Sequence, residues 1–261
     1  MEEAEEQSRE SKAALALAYL AGMAGRASDF LFPPACPGCG RMLARHSALC
    51  PTCWKEIAFI ERPYCEVLGL PFSHDLGPGI LSAEAIANPP DFDRLRSVCA
   101  FNGTARNLVH ALKYRDRTEL APMLALWMAR AGGELLGDCD AILPVPLHAF
   151  RRLSRKFNQA AELALALSRL TGKPMLATAI RRKRNTPHQI GLGRTGRTEN
   201  VRGAFEVTER GKLELSGKRI VVVDDVYTTG ATVSAVARAA RRAGAAEVGV
   251  LTFARALPDI I

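Results

Sequence analysis

The chain has 261 residues, of which 48% are hydrophobic and 24% charged, enough apolar material for one sizeable core and a small appendage. That balance excludes an intrinsically disordered chain. The formal net charge is +8, yet the first ten residues hold five Glu against one Arg, so the remainder carries +12 and suits phosphate-rich partners.

Residues 13–24 are apolar and rich in small side chains. A span needs about 20 such residues, so this stretch is too short to cross a bilayer. The acidic run before it is the opposite of the positive start of a secretory signal. A short amphipathic or buried helix is expected, with no membrane span and a cytoplasmic address. Phe32-Pro33-Pro34 ends the pattern.

Two C-x-x-C knuckles follow, Cys36-Pro37-Gly38-Cys39 and Cys50-Pro51-Thr52-Cys53, separated by ten residues. Four thiolates at this spacing can close tetrahedrally on zinc, a structural site that folds a module too small for its own core. A redox C-x-x-C is the alternative, disfavoured by the presence of two pairs. Cys65-Glu66-Val67-Leu68-Gly69 resembles half of a further knuckle, with Leu68 where the second cysteine would stand, so one zinc is expected. Cys99 and Cys139 read as small buried hydrophobes. Seven cysteines, an odd number, fit a reducing compartment better than a disulfide framework.

From 61 to 93 the chain is broken by Pro63, Pro71, Gly77-Pro78-Gly79 and Pro89-Pro90 and reads as a connector or covering segment. Beyond it, periodicity predicts strands over 95–101, 141–143, 219–223 and 248–253. It predicts helices over 105–114, 119–132, 159–170 and 232–243. Such alternation implies an α/β fold, a parallel sheet flanked by helices. The β-branched run Ile220-Val221-Val222-Val223 should be a central strand, and Gly244 a helix-terminating glycine. No internal repeat is evident.

That central run ends in Asp224-Asp225, followed by Val226-Tyr227-Thr228-Thr229-Gly230-Ala231-Thr232. In an open α/β sheet ligands sit beyond the carboxyl ends of strands, which puts the carboxylates at the rim. The Thr-rich turn offers N–H groups, hydroxyls and a helix N-terminus to a phosphate, and Gly230 allows close approach. Two carboxylates for vicinal hydroxyls and a turn for a terminal phosphate describe ribose 5-phosphate. A Rossmann-like turn without that ligand is the alternative; the missing Gly-Lys-Ser/Thr ending disfavours nucleoside triphosphate hydrolysis.

The loop resembles the phosphoribosyl-diphosphate signature of type I phosphoribosyltransferases. The resemblance implies that Asp224 and Asp225 contact the ribose hydroxyls and that 227–232 holds the 5-phosphate. It also makes Pro144, Val145 and Pro146 the diphosphate loop, and the Gly- and Arg-rich stretch 184–203 a closing lid. Arg194 and Arg197 in that lid would offset charge on departing diphosphate. Mg²⁺ would enter with the substrate. An ordinary proline-rich strand exit and a plain solvated loop are the simpler readings of those two segments.

Together, Phe32-Pro33-Pro34, the knuckles, Leu112-Lys113-Tyr114, Pro144-Val145-Pro146, Phe157-Asn158-Gln159 and the Asp224 loop resemble the ComF family of late-competence proteins over nearly the whole chain. The chain reads as an acidic start and short helix (1–30), a zinc ribbon (31–60), the covering segment (61–93) and, as the resemblance implies, a phosphoribosyltransferase domain (94–261). Two functions are implied: transfer of a phosphoribosyl group to an unknown nucleophile, or non-catalytic engagement of single-stranded DNA or a competence helicase. The acceptor and the oligomeric state are not legible.

Overall fold

The computed structural model describes residues 33–46, 48–75, 77–147, 157–183 and 203–257. The opening helix expected over 13–24 and nearly all of the expected lid, with Arg194 and Arg197, lie outside the described residues. The chain divides into two compact units, Met1–Cys50 and Pro51–Ile261.

In the first unit the chain makes a tight turn at Cys36. Its N–H donates to Arg41 O (2.8 Å), its carbonyl accepts from Gly40 N (2.7 Å), and Ala35 bridges Met42 antiparallel.

The second unit opens with α1 (Pro51–Lys55) and, within the covering segment, α2 (Ala83–Ala87). There follow β1 (Arg94–Ala100), α3 (Gly103–Tyr114), a 3₁₀ turn (Thr118–Leu120), α4 (Ala121–Ala131) and α5 (Gly133–Asp138). Next come β2 (Ala141–Pro144), α6 (Gln159–Thr171), β3 (Ile180–Arg182), β4 (Phe205–Val207) and α7 (Glu209–Leu215). The unit closes with β5 (Arg219–Tyr227), α8 (Ala231–Arg242) and β6 (Glu247–Arg255). All predicted strands and helices from 95 onward are present; α5, the β3–β4 pair and α7 were not anticipated, being too short to establish a period.

The four long strands form a parallel sheet in the order β1-β6-β5-β2, and β3 and β4 pair antiparallel beside it. Helices α4 and α6 pack on one face, α8 and the small pair on the other. Burial on both faces explains the uniform apolar character of β5, where Ile220, Val221, Val222 and Val223 are all buried. Each such Val contributes about 1.5–3 kcal/mol of burial.

Strand β5 does not stop at Val223 as its composition suggested. Strand β6 accompanies it to the end, with Asp224 opposite Thr252 and Tyr227 opposite Arg255. On the other side β2 ends at Pro144, opposite Val223. The carboxylates therefore lie past the end of one neighbouring strand but not the other.

The expectation of no internal repeat is corrected by the covering segment. Residues 64–71 repeat the turn at Cys36: Cys65 N donates to Leu70 O (2.8 Å), Gly69 N donates to Cys65 O (2.7 Å), and Tyr64 bridges Pro71. The residue pattern keeps only Cys65 and Gly69 of the knuckle, enough to mark half of it but not the repeated backbone.

Candidate functional site

The pleat of β5 turns successive side chains to opposite faces. Asp225 is buried and its Oδ1 lies 2.8 Å from the Nζ of Lys113, in the last turn of α3. Burial works against the Lys113 ammonium, but attraction to Asp225, a hydrogen bond to it and the charge of Asp224 outweigh that, so its pKa is raised and it stays charged.

Asp224 is in a different state. Tight surroundings strip water from its carboxyl and Asp225 repels it, which together push its pKa up to about 7; Lys113, the N–H of Asp225 and Arg182 pull the other way. The Asp225 N–H donates to Asp224 Oδ1 at 2.9 Å. Near neutral pH the pair thus offers one carboxyl group paired with a lysine and, in Asp224, one that can either donate or accept a hydrogen bond. That mixture suits vicinal hydroxyls.

Beyond Tyr227 the chain turns through Thr228, Thr229 and Gly230 into α8. Gly230 is the N-cap residue with φ +77°, and a Cβ there would meet Tyr227 Oη at 2.4 Å. Only glycine fits. The turn and first helical residues, Thr228 through Thr232, wrap a small concavity with Asp224 and Val226. With no side-chain cap at this end of α8, its first N–H groups are available to an anion.

Pro144, Val145 and Pro146 leave β2 next to this site. Val145 N donates to Val223 O (2.9 Å), and Asn158 Nδ2 donates to Val145 O (3.0 Å) while its Oδ1 accepts from Ala160 N to cap α6. The Phe157-Asn158-Gln159 motif therefore ties a helix start to the strand exit that flanks the carboxylates.

A larger cleft of about 550 Å³ opens beside Tyr227 and Thr228, walled by Leu68, Leu70, Asn88 and Pro90 of the covering segment and by Arg238 and Arg255. Its size is that of a small-molecule site. The guanidinium of Arg255 lies over the Tyr227 ring (5.2 Å to the centroid) and donates to Leu68 O.

The sulfurs of Cys36, Cys39, Cys50 and Cys53 all lie within 4.8 Å of one another, and Cys39 and Cys50 are 3.7 Å apart. A Zn–S bond of about 2.3 Å in a tetrahedron requires sulfurs about 3.8 Å apart, so the four fit zinc. No disulfide is formed among the described cysteines.

The structure thus brings Asp224, Asp225 and 226–232 together, with Pro144, Val145 and Pro146 alongside. Sequence reasoning missed Lys113, Arg182 and Arg255 as members of the site. Lys113 stands in the Leu112-Lys113-Tyr114 motif, but nothing local to it or to Arg182 says which carboxylate either one meets.

Residues 27–85 match the double zinc ribbon domain family and residues 149–258 the phosphoribosyl transferase domain family. The chain is 33% identical over 229 residues to DNA utilization protein YhgH of Salmonella typhimurium, covering 85% of this chain and 90% of that protein. It is 31% identical over 223 residues to competence protein F of Haemophilus influenzae, covering 83% and 94% respectively. Among solved structures, a purine phosphoribosyltransferase from Pyrococcus horikoshii Ot3 aligns with 52% of this chain and 76% of its own, at 20% identity and a TM-score of 0.33.

Proposed function

We propose, since the chain belongs to the ComF family of competence proteins, that the segment from Asp224 to Thr232 binds phosphoribosyl diphosphate and that the protein transfers its phosphoribosyl group to a nucleophile. The observation that carries the reading is the direct succession, along β5 and into α8, of two adjacent carboxyl groups, one paired with Lys113, and a glycine-dependent turn at a helix N-terminus.

In this reading Asp224 and Asp225 orient the ribose through its hydroxyls, with Lys113 holding the Asp225 side chain in place. Thr228 through Thr232 bind the 5-phosphate. The strand exit at Pro144, Val145 and Pro146 lies against the diphosphate, and Arg194 and Arg197 supply charge as it departs. Mg²⁺, a hard cation that prefers oxygen ligands, suits a site of diphosphate and carboxylate oxygens and would neutralise the leaving group. Cleavage of a glycosidic C–O bond through an oxocarbenium-like state draws on positioning and charge stabilisation, and needs no general base from these residues. The acceptor would enter from the covering segment, residues 61–93, ahead of a transferase domain from 94 onward. Cysteines that form no disulfide suit a reducing, cytoplasmic address. Among the described residues no helix is long and apolar enough to cross a membrane.

Calorimetric titration with phosphoribosyl diphosphate and Mg²⁺ tests the reading. Saturable binding is expected, weakened at least tenfold by Asp224→Asn with Asp225→Asn; unchanged affinity in that variant overturns it.

A second reading is supported by the positive charge and by the relatives named for DNA utilization: the basic surface engages single-stranded DNA or a helicase of DNA uptake. Its signature is affinity for short single-stranded DNA that falls steeply with salt and disappears when Arg181 through Arg184 are neutralised.

A further inference from the structure

The repeat between the turns at Cys36 and Cys65 extends well beyond the turns. In the zinc-fitted ribbon Cys50 immediately precedes the five-residue helix α1, and its N–H donates to Cys36 Sγ at 3.4 Å, fourteen residues back. In the covering segment Ser82 immediately precedes the five-residue helix α2, and its N–H donates to Cys65 Sγ at 3.2 Å, seventeen residues back. Three residues after each of these positions, Cys53 and Ala85 are both buried. Gly40 and Gly69 hold the same left-handed turn position, four residues after each first cysteine, at φ +77° and +57°.

These correspondences put Leu68 where the first ribbon has Cys39, Ser82 where it has Cys50, and Ala85 where it has Cys53. Of four ligand positions only Cys65 keeps a sulfur. One thiolate, one hydroxyl and two apolar side chains cannot close a tetrahedron on zinc, whose structural sites take four nitrogen or sulfur donors. The double zinc ribbon family, which covers residues 27–85 and so reaches Ala85, is therefore only half matched in metal chemistry.

We propose that residues 64–87 are a second zinc-ribbon lobe that has lost its metal and is held together by the contacts that took its place. The Cys65 sulfur, wholly buried, accepts from Leu68 N (3.4 Å) and Ser82 N, while Ser82 Oγ caps α2 by accepting from Ala85 N at 3.3 Å. Leu68 and Ala85, both 5% exposed, supply apolar packing where two thiolates would stand. The lobe is then fastened to the sheet. Val67 O accepts from Leu95 N (2.7 Å), and Arg96, 2% exposed, donates to Glu66 O (2.9 Å), pairs with Glu66 and Glu134 at 3.1 and 2.5 Å, and lies over the Tyr64 ring. Leu68 O receives Arg255.

A metal-free lobe can serve as a fixed wall. Leu68, Leu70 and Glu84 line the large cleft, so that wall does not depend on zinc supply even though the first ribbon does.

Zinc stoichiometry of the purified full-length protein tests the proposal. One equivalent is expected in the wild type and one in Cys65→Ala; a second equivalent that Cys65→Ala removes overturns it. The converse variant, Leu68→Cys with Ser82→Cys and Ala85→Cys, is expected to hold two equivalents, and to double the cadmium–thiolate absorbance on exchange into Cd²⁺. A folded triple variant that stays at one equivalent overturns the assignment of positions. Should the triple variant fail to fold, amide exchange of the wild type decides: protection at Gly69 and Ser82 is expected to survive chelation that exposes Gly40, and its loss together with Gly40 overturns the proposal.

Discussion

Lys113 on α3 and Asp225 on β5 form an ion pair of 2.8 Å, the lysine side chain one-fifth exposed and the aspartate nearly buried. Both partners act on neighbouring Asp224, whose pKa burial and Asp225 raise and Lys113 lowers.

Replacing Lys113 with Met leaves Asp225 as an uncompensated buried charge next to Asp224. Removing one partner of a buried pair costs about 3–5 kcal/mol, and the partial exposure of Lys113 places this case at the low end. A lower urea midpoint is expected, with phosphoribosyl diphosphate affinity down at least tenfold. Lys113→Arg should recover part of both. A Met variant with wild-type affinity would remove Lys113 from the site.

Asp224 carries a pH signature. Its pKa in the folded protein is raised to about 7 from an ordinary 3.8, so across that interval the unfolded chain holds fewer protons than the native one. Unfolding free energy then falls as pH rises through the interval and levels off above it. In Asp224→Asn this contribution vanishes. The variant should gain stability relative to the wild type as pH is raised from 4 to 7; thermal melts across that range that run parallel in the two proteins would count against it.

Chelation should release zinc from Cys36, Cys39, Cys50 and Cys53 and unfold the first ribbon, since binding free energy in such sites is folding free energy. Trp54, next to Cys53, packs on Trp127 and Phe59 with ring centroids 5.2 and 5.1 Å apart, and reports the event. A red shift in tryptophan emission on chelation, reversed by added zinc, is the expected result.

Gly230→Ala should damage the turn specifically. Alanine at φ +77° costs about 1–2 kcal/mol in backbone strain, and its methyl would displace Tyr227, whose hydroxyl lies 2.4 Å from the Cβ position. Sugar-diphosphate affinity should fall by more than tenfold. Gly211→Ala, which would drive a methyl to 2.1 Å from Ala179 O, is the control: stability falls there without any contact with the turn.

Much of the fold was legible because long elements declare themselves locally. The run Ile220 to Val223 must be buried on both faces, and α8 shows its core stripe through Val233, Val236, Ala237 and Ala240. The Asp224 loop and the two C-x-x-C pairs were equally plain, since their chemistry is carried by neighbours in the chain. Elements three to seven residues long, such as β3 and α7, were not, because so few residues cannot establish a period against the background.

The sequence by itself determined the parallel α/β architecture, the two carboxylates with their glycine turn, and the four-thiol cluster; in each, the residues that matter sit within a few positions of one another. Only the tertiary structure decided that Lys113 pairs with Asp225 while the pKa of Asp224 is pushed up to about 7, and that Arg255 links Tyr227 to the covering segment. The half-knuckle at Cys65 was visible in the sequence, and the structure added that its backbone hydrogen bonds copy those of the turn at Cys36. Those are matters of distance and burial between residues far apart in the chain, and a backbone shape kept by hydrogen bonds survives the loss of the side chains that would have announced it.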